Sequence, residues 1–483
     1  MDVLWQRQRT LRVIIKTLPA DCWTVTDSVY VSGIYLGLPS RSSKSLTSPH
    51  VQRIIRAPTP NEWERFRRYT ARVVELSVWR TFEREVSSET ISFLGARSTL
   101  DPLWPRLTSL RLGGGLGSDA VTSALGFLSP KITKFTLILP RDNILLQPLL
   151  LTASDRCRRI QELTLGIVTD SSHSAQEVGG LIYACRDTLH TISVRSPRAE
   201  YLPVIANLPR LRSLSLDGVD FPCDLPLNAF PTLEEVRFTK FHGQQLQHFF
   251  NRLCTAGLKV VEIRGIDTVA PEELMAAFSR FSATLMILQI SPVSDVDLPS
   301  GVVPRLFASL KSVHLGCSCC MYYGQAQCAS RLTDQTIAEL GAAMPNITYL
   351  FLGSPRCSNP QRTTFLSLVS LSKTCKDLES LAIKVDFRTM IAPSLDESED
   401  DGVDATVDGT QGNAGDGCKL RELNVGLSTL SDRPESGWIV ATGLGKIFPS
   451  LSKVEGYGLL RPKWEEVERN IRMLRRVLRT VRQ

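Results

Sequence analysis

Apolar and polar positions along this chain fall into a six-residue phrase that keeps returning, most legibly as Leu211-Arg212-Ser213-Leu214-Ser215-Leu216 and Leu378-Glu379-Ser380-Leu381-Ala382-Ile383. Apolar residues hold its first, fourth and sixth places. Alternate side chains of a strand point the same way, so the fourth and sixth enter one interior and the residue between them points out. The first places run Val73, Leu107, Ile132, Ile160, Leu189, Leu211, Leu233, Leu258, Leu285, Leu310, Ile347, Leu378, Leu420 and Leu451, at intervals of 22 to 42 residues. A unit of that size cannot bury its apolar face alone, whereas stacked neighbours share one core. The pattern predicts a solenoid over residues 73–456.

Several copies open on an apolar-Pro lead-in: Trp104-Pro105-Arg106-Leu107, Leu208-Pro209-Arg210-Leu211, Phe230-Pro231-Thr232-Leu233, Met344-Pro345-Asn346-Ile347 and Phe448-Pro449-Ser450-Leu451. In this the chain resembles leucine-rich repeats, in particular the longer ribonuclease-inhibitor-like units. The resemblance implies an α/β fold with a curved parallel sheet on the concave side and helices on the convex side. The Asn or Cys usual after the strand is mostly absent, which bears on the regularity of the curve. Between phrases, helical spacing appears at Asp119–Leu125, Ala175–Cys185, Pro271–Phe278 and Thr333–Leu340, with Asp119, Thr333 and Pro271 as helix starts.

The ends differ from the middle. After Gly456, Arg461-Pro462-Lys463 opens a last helix over 461–483, with Trp464, Val467, Ile471, Leu474, Leu478 and Val481 on one stripe and arginines elsewhere. A terminal repeat needs a cover, so the helix is expected to cap the array. A segment at 393–417, rich in Asp, Glu and Gly, has almost nothing to bury and is expected to be a disordered insertion. Residues 1–72 are expected to be mainly helical: one helix ended by Pro19, and a second capped by Asn61 that carries Trp63, Phe66 and Tyr69. Thr24-Val25-Thr26 and Val29-Tyr30-Val31, rich in β-branched residues, favour strand instead.

Leu4-Trp5, the basic-apolar stretch to Leu18-Pro19, Asp21 and Trp23, then Glu62-Trp63, Arg65-Phe66, Tyr69 and Arg72-Val73 resemble the region following the F-box in fungal, mainly mushroom-type, F-box and leucine-rich-repeat proteins. That resemblance implies the substrate-binding part of an adaptor in a cullin–RING ubiquitin ligase of the SCF type. The F-box that grips the Skp-type linker subunit is missing ahead of Leu4-Trp5, so the linker is an expected partner only if an F-box lies upstream. The alternative is a stand-alone scaffold or inhibitor that works without a ligase.

A hydrophobic content of 43% and a charged content of 22% are those of a soluble globular chain, and no apolar run approaches the length of a membrane span. Most of the twelve cysteines are scattered singly, a usage that fits a reducing compartment and points to cytoplasm or nucleus. Cys317, Cys319, Cys320 and Cys328 near His314 lack paired zinc-ligand spacing and are expected to hold no metal. Net charge is +7, with twelve Lys/Arg in residues 1–72, eight in 461–483 and an opposing acidic block between Asp396 and Asp416. No nucleophile elbow, phosphate loop or metalloprotease helix occurs, so neither catalysis nor a cofactor is expected.

The outward residue between the fourth and sixth places reads, in succession, Arg111, Thr136, Thr164, Ser193, Ser215, Arg237, Glu262, Gln289, His314, Phe351, Ala382 and Asn424. Mixed charges, small hydroxyls and one aromatic suit the reading of a protein better than the tracking of phosphates. The expected protein-binding residues on this concave face are Arg111, Arg237, Glu262, His314, Phe351 and Asn424, with Arg237 and Phe351 as anchors.

Overall fold

All fourteen phrase-opening residues, from Val73 to Leu451, are 0% exposed, so the repeat seen in the sequence is the repeat of the core. The computed structural model describes residues 23–25, 50–54, 59–79, 84–86, 93–94, 96, 104–113, 124–138, 146–166, 172–198, 200–218, 225–266, 276–292, 309–316, 332–353, 362–391 and 417–482. By packing, the chain divides into two units, Met1–Leu233 and Glu234–Gln483, where the sequence pattern alone draws one solenoid.

The first unit begins with a small sheet in which β1 (Trp23–Val25) pairs antiparallel with β2 (His50–Ile54). Its main ladder runs β3 (Glu75–Trp79), then, past β4 (Arg84–Val86), which joins β2, to β5 (Ser109–Gly113), β6 (Lys134–Ile138), β7 (Glu162–Leu165), β8 (Thr191–Arg195) and β9 (Ser213–Asp217). These six strands are parallel and ordered as in the chain. Helices α1 (Pro60–Thr70), α2 (Leu146–Arg156), α3 (Ser172–Ala184) and α4 (Leu202–Ala206) lie in the segments between strands.

The second unit repeats the scheme with β10 (Glu235–Thr239), β11 (Val260–Ile266), β12 (Ile287–Pro292), β13 (Ser312–Leu315), β14 (Tyr349–Leu352), β15 (Ser380–Ile383), β16 (Glu422–Gly426) and β17 (Lys453–Gly456). These eight are again parallel and sequential. Its helices are α5 (Gly243–Arg252), α6 (Asp334–Ala343), α7 (Phe365–Thr374), α8 (Ser436–Ile447) and α9 (Arg461–Arg482). The fold is a leucine-rich-repeat solenoid of the α/β kind.

One hydrogen-bond pattern sets the register. Within each unit, the carbonyl just after a first place accepts two backbone N–H groups from the repeat that follows it in that unit, as Val74 does from Thr108 and Ser109, and Glu234 from Lys259 and Val260. A hydroxyl just before the first place adds a second tie, to the preceding repeat. Thr188 donates to the Ile160 carbonyl at 2.8 Å, Thr232 to Leu211 at 2.9 Å, Thr284 to Leu258 at 2.9 Å and Ser309 to Leu285 at 2.9 Å. Satisfying buried carbonyls this way matters because an unpaired one costs about 1–3 kcal/mol.

Four of the five described cysteines have the same kind of place, Cys254 being exposed. Cys157, Cys185, Cys375 and Cys418 are buried at the turn before a strand, and the Cys185 and Cys418 thiols point to the carbonyls of Cys157 and Cys375, one repeat back, at 3.4 and 3.2 Å. Burial pushes the Cys157 thiol up to about 12 and that of Cys185 to about 11, so both remain protonated and inert.

Several local expectations change. The second helix begins at Pro60, and its cap is Thr59: Glu62 N–H donates to Thr59 Oγ1 at 3.4 Å and Thr59 N–H to Glu62 Oε2 at 2.7 Å. That reciprocal box, with Pro at the first helical position, displaces Asn61 from the capping role. The region through residue 72, expected to be mainly helical, contains β1 and β2, in keeping with the β-branched Thr24, Val25, Val51 and Ile54. Thr333 caps α6 as expected, accepting from Thr336 N–H. The proposed helix over residues 1–18, the helix starts Asp119 and Pro271, the cysteines from Cys317 to Cys328 and residues 393–416 lie outside the described residues.

Helix α9 covers the end of the ladder with only part of its length. Trp464 and Val467 are 0% exposed and Ile471 1%. Trp464 packs against Gly456, where a Cβ would overlap its ring, and edge-on to Phe387 at 5.1 Å. Further along, Leu478 of the expected stripe is exposed, as are Met473 and Val477 beside it, so the stripe is buried only where it packs on β17 and α8.

Candidate protein-binding surface

The strand alternation that buries the fourth and sixth places leaves the third, fifth and seventh on the open side of each ladder. The fifth-place residues are register partners in the order read from the sequence. In the first unit Arg111 pairs with Thr136, Thr136 with Thr164, Thr164 with Ser193 and Ser193 with Ser215. In the second the succession is Arg237, Glu262, Gln289, His314, Phe351, Ala382 and Asn424, ending on Glu455.

Four of the six expected binding residues share the second unit's face within five adjacent strands. Arg237 Nε donates to Glu235 at 2.7 Å and lies 3.7 Å from Glu262, which also takes Arg264 at 3.3 Å. Two strands on, the His314 and Phe351 rings meet at 3.9 Å between centroids, tilted by 49°. Gly316 makes room for this pair, since a Cβ there would lie 2.7 Å from His314 Nε2. Burial lowers the His314 pKa, and the nearby Arg264 lowers it further, so the imidazole is neutral at pH 7 and offers an apolar, hydrogen-bonding ring.

The other two residues stand apart. Arg111 belongs to the first unit, where it pairs with Glu75 at 3.3 Å among small hydroxyls. Asn424 is occupied structurally: its amide donates to the Tyr457 hydroxyl at 2.9 Å and accepts from Gly426 N–H at 3.1 Å.

Other residues join the second unit's patch that the fifth-place rule alone does not name. Arg264 holds a seventh place, and Tyr349 (50% exposed) and Ile287 (38% exposed) hold third places. The period of two finds all three once it is carried one step to either side.

Acidic and basic groups on these faces neutralise one another locally: Lys134 with Glu162 at 2.6 Å, Arg195 with Asp217 at 3.3 Å and Lys453 with Glu455 at 2.7 Å, beside the Arg237–Glu262–Arg264 set. A groove that tracks phosphate needs uncompensated cations, so these pairs disfavour that use. Among the described residues no group of His, Cys, Asp and Glu side chains is placed to hold a metal ion, and no helix is long and apolar enough to cross a membrane.

No family model matches the chain, and no curated protein matches it. Among solved structures, an internalin from Listeria monocytogenes superposes with a TM-score of 0.32 at 12% identity, covering 83% of this chain and 87% of that one. The yeast Rad7 and Elc1 complex includes a chain similar at a TM-score of 0.35 and 10% identity, over 77% of this chain and 84% of that one. The repeat architecture itself rests on the strand register and the fourteen buried first-place residues.

Proposed function

We propose that this chain is a non-catalytic protein-recognition module that docks a target on the open strand face of its second unit. The supporting observation is the coincidence, within neighbouring strands, of a crosslinked Arg–Glu set and an aromatic pair flanked by exposed Tyr349 and Ile287. Interface hot spots combine such arginine and aromatic groups, and apolar contact beside paired charges gives affinity and orientation together. A neutral His314 fits a protein partner better than a polyanion.

In its finer form the module serves as the substrate-binding part of an SCF-type ubiquitin ligase adaptor, as the resemblance around Glu62-Trp63 implies. Recruitment of the Skp-type linker then requires an F-box, and ubiquitin transfer belongs to the rest of the ligase. The stand-alone scaffold or inhibitor shares the same docking face.

The test is crosslinking capture of partners from cells with the full chain and two variants. A partner that is retained by Lys373→Glu, at an exposed position of α7, and lost with Phe351→Ala supports the face. A partner lost with Lys373→Glu and retained by Phe351→Ala contradicts it. Co-capture of the linker subunit separates the ligase form from the scaffold.

A further inference from the structure

Helices α8 and α9 pack side by side and run the same way. Near the start of α8 a Cβ on Gly437 would stand 3.6 Å from Glu466 and 3.9 Å from Asn470, while just past its end the Pro449 carbonyl accepts from Arg475 at 2.6 Å. The outer side of this pair does not stay closed. At Gly445, two turns after Gly437, no described residue comes within 4 Å of where a Cβ would sit. Val477, seven residues after Asn470 and so on the same side of α9, is 54% exposed. The other flank of α8 is covered, since a Cβ on Gly443 would press on Met390 and Phe365. A cleft is thus left open between the C-terminal halves of the two helices.

Its lining is apolar and its rim is basic. Met473, one turn before Val477, is exposed on the same line of α9, and Trp438 is exposed on α8. Arg469 and Arg476 stand four residues before and three after Met473, which makes them its neighbours on the helix surface. Lys446 follows Gly445 on α8. The carboxylates of α9, Glu465, Glu466 and Glu468, all precede Arg469, and two of them are taken: Glu465 by Arg461 and Glu468 by Arg472. Arg469 Nε donates only to the Glu465 backbone carbonyl, and among the described residues no carboxylate pairs with Lys446, Arg469 or Arg476.

We propose that this cleft receives an amphipathic helix of another protein, with its apolar stripe on Gly445, Met473 and Val477 and its acidic flanks on Lys446, Arg469 and Arg476. Charge complementarity selects the acid, because arginine forks hold carboxylates through paired hydrogen bonds and nothing acidic follows Arg469 in the chain. The geometry selects the helix, because two packed helices that part leave a groove of the kind that an apolar helix face fills. Residues 469–480 extend over about 18 Å, room for roughly three turns of a partner. An apolar floor disfavours nucleic acid, a flat bilayer does not enter a cleft between helices, and a second copy would set like cations against one another across a two-fold contact.

The probe is a pair of helical peptides of about 18 residues, both with Leu at i, i+3, i+4 and i+7 and with Glu in one and Lys in the other at the remaining places. Each is titrated onto the full chain at low salt and followed by fluorescence anisotropy. The Leu/Glu peptide should bind about tenfold or more tightly than the Leu/Lys peptide. Gly445→Phe, which fills the cleft, and Val477→Glu, at an exposed place, should each weaken it by about tenfold, and Arg476→Glu by roughly threefold, with melting curves unchanged. Phe351→Ala should leave it unchanged, which separates this surface from the strand face. Equal affinity for the two peptides overturns the proposal, as does Leu/Glu binding that survives both Gly445→Phe and Val477→Glu. Tighter association with phosphatidylserine vesicles than with the Leu/Glu peptide overturns it in favour of a lipid surface. Sedimentation that shows wild-type chains pairing, and Val477→Glu chains not, overturns it in favour of a second copy.

Discussion

The strand faces of the two units share a buried side and differ on the open one. Inward, Leu163 and Leu165 in the first unit match Leu381 and Ile383 in the second, none more than 2% exposed. Outward, after Arg111 at its first strands, the first unit presents only Thr136, Thr164, Ser193 and Ser215, whereas the second presents Arg237, Glu262, Gln289, His314 and Phe351 in the same register place. Folding therefore tolerates either set. Small hydroxyls suffice to solvate a strand face, so the bulky, charged and aromatic set in the second unit is not demanded by the ladder. It is this surplus that the recognition reading explains.

The comparison can be broken first at its shared side. Leu163→Ala and Leu381→Ala should each destabilise their unit by about 2–5 kcal/mol, since each removes a fully buried side chain from a packed interior. Urea unfolding followed by circular dichroism checks this, and a large loss in one unit with none in the other would mean that the two interiors are not equivalent.

On the open side the units should part company. Phe351→Ala should weaken a captured partner by roughly 30-fold, the size of a hot-spot loss of about 2 kcal/mol, while Thr164→Ala at the matching place changes affinity by less than about twofold. Binding isotherms of the two variants give the ratio directly. Neither substitution should shift unfolding as far as the leucine variants do.

Glu262→Gln has a smaller expected effect. It removes the charge shared by Arg237 and Arg264, yet both arginines remain in water, so stability should fall by less than about 1 kcal/mol. The partner's association rate should change more, with a dependence on salt that the wild-type chain shows to a different degree.

The smallest expected effect is on pH. Because the folded pKa of His314 lies below its ordinary value, the unfolded chain takes up this proton first as pH falls. The stability tied to the neutral ring is present above about pH 6.5 and drains away as pH drops from there through the folded pKa. In His314→Gln that part of the slope should vanish, and Thr164→Ala should leave it untouched; melting curves at steps from pH 7.5 to 5 check both.

Much of this was legible in the sequence because a strand has a period of two and a repeat has a fixed origin. Fourteen first places and the order of the fifth-place residues follow from counting alone. Other features depend on what the chain meets in space. Tyr349 and Arg264 lie one step from the fifth place, and the sequence gives no reason to prefer one outward step over another until neighbouring strands are aligned. The stripe of α9 shows which side is apolar, but at about 1.5 Å per residue its 22 residues outrun the surface that β17 and α8 offer. Asn424 reads as an outward polar group, and only the position of Tyr457 shows that its hydrogen bonds are spent. Thr59 could be found from Thr59-Pro60-Asn61-Glu62 by the spacing of a capping box.

The most direct test of the central claim places a photo-crosslinking amino acid at single outward places, one variant at a time, on both faces: at Tyr349 and Gln289 in the second unit, at Thr164 and Ser193 in the first, and at exposed Lys373 on α7. The account predicts that one partner is captured from Tyr349 and Gln289 and not from the other three. Capture of that partner from Lys373, or with equal yield from Thr164 and Tyr349, would contradict it.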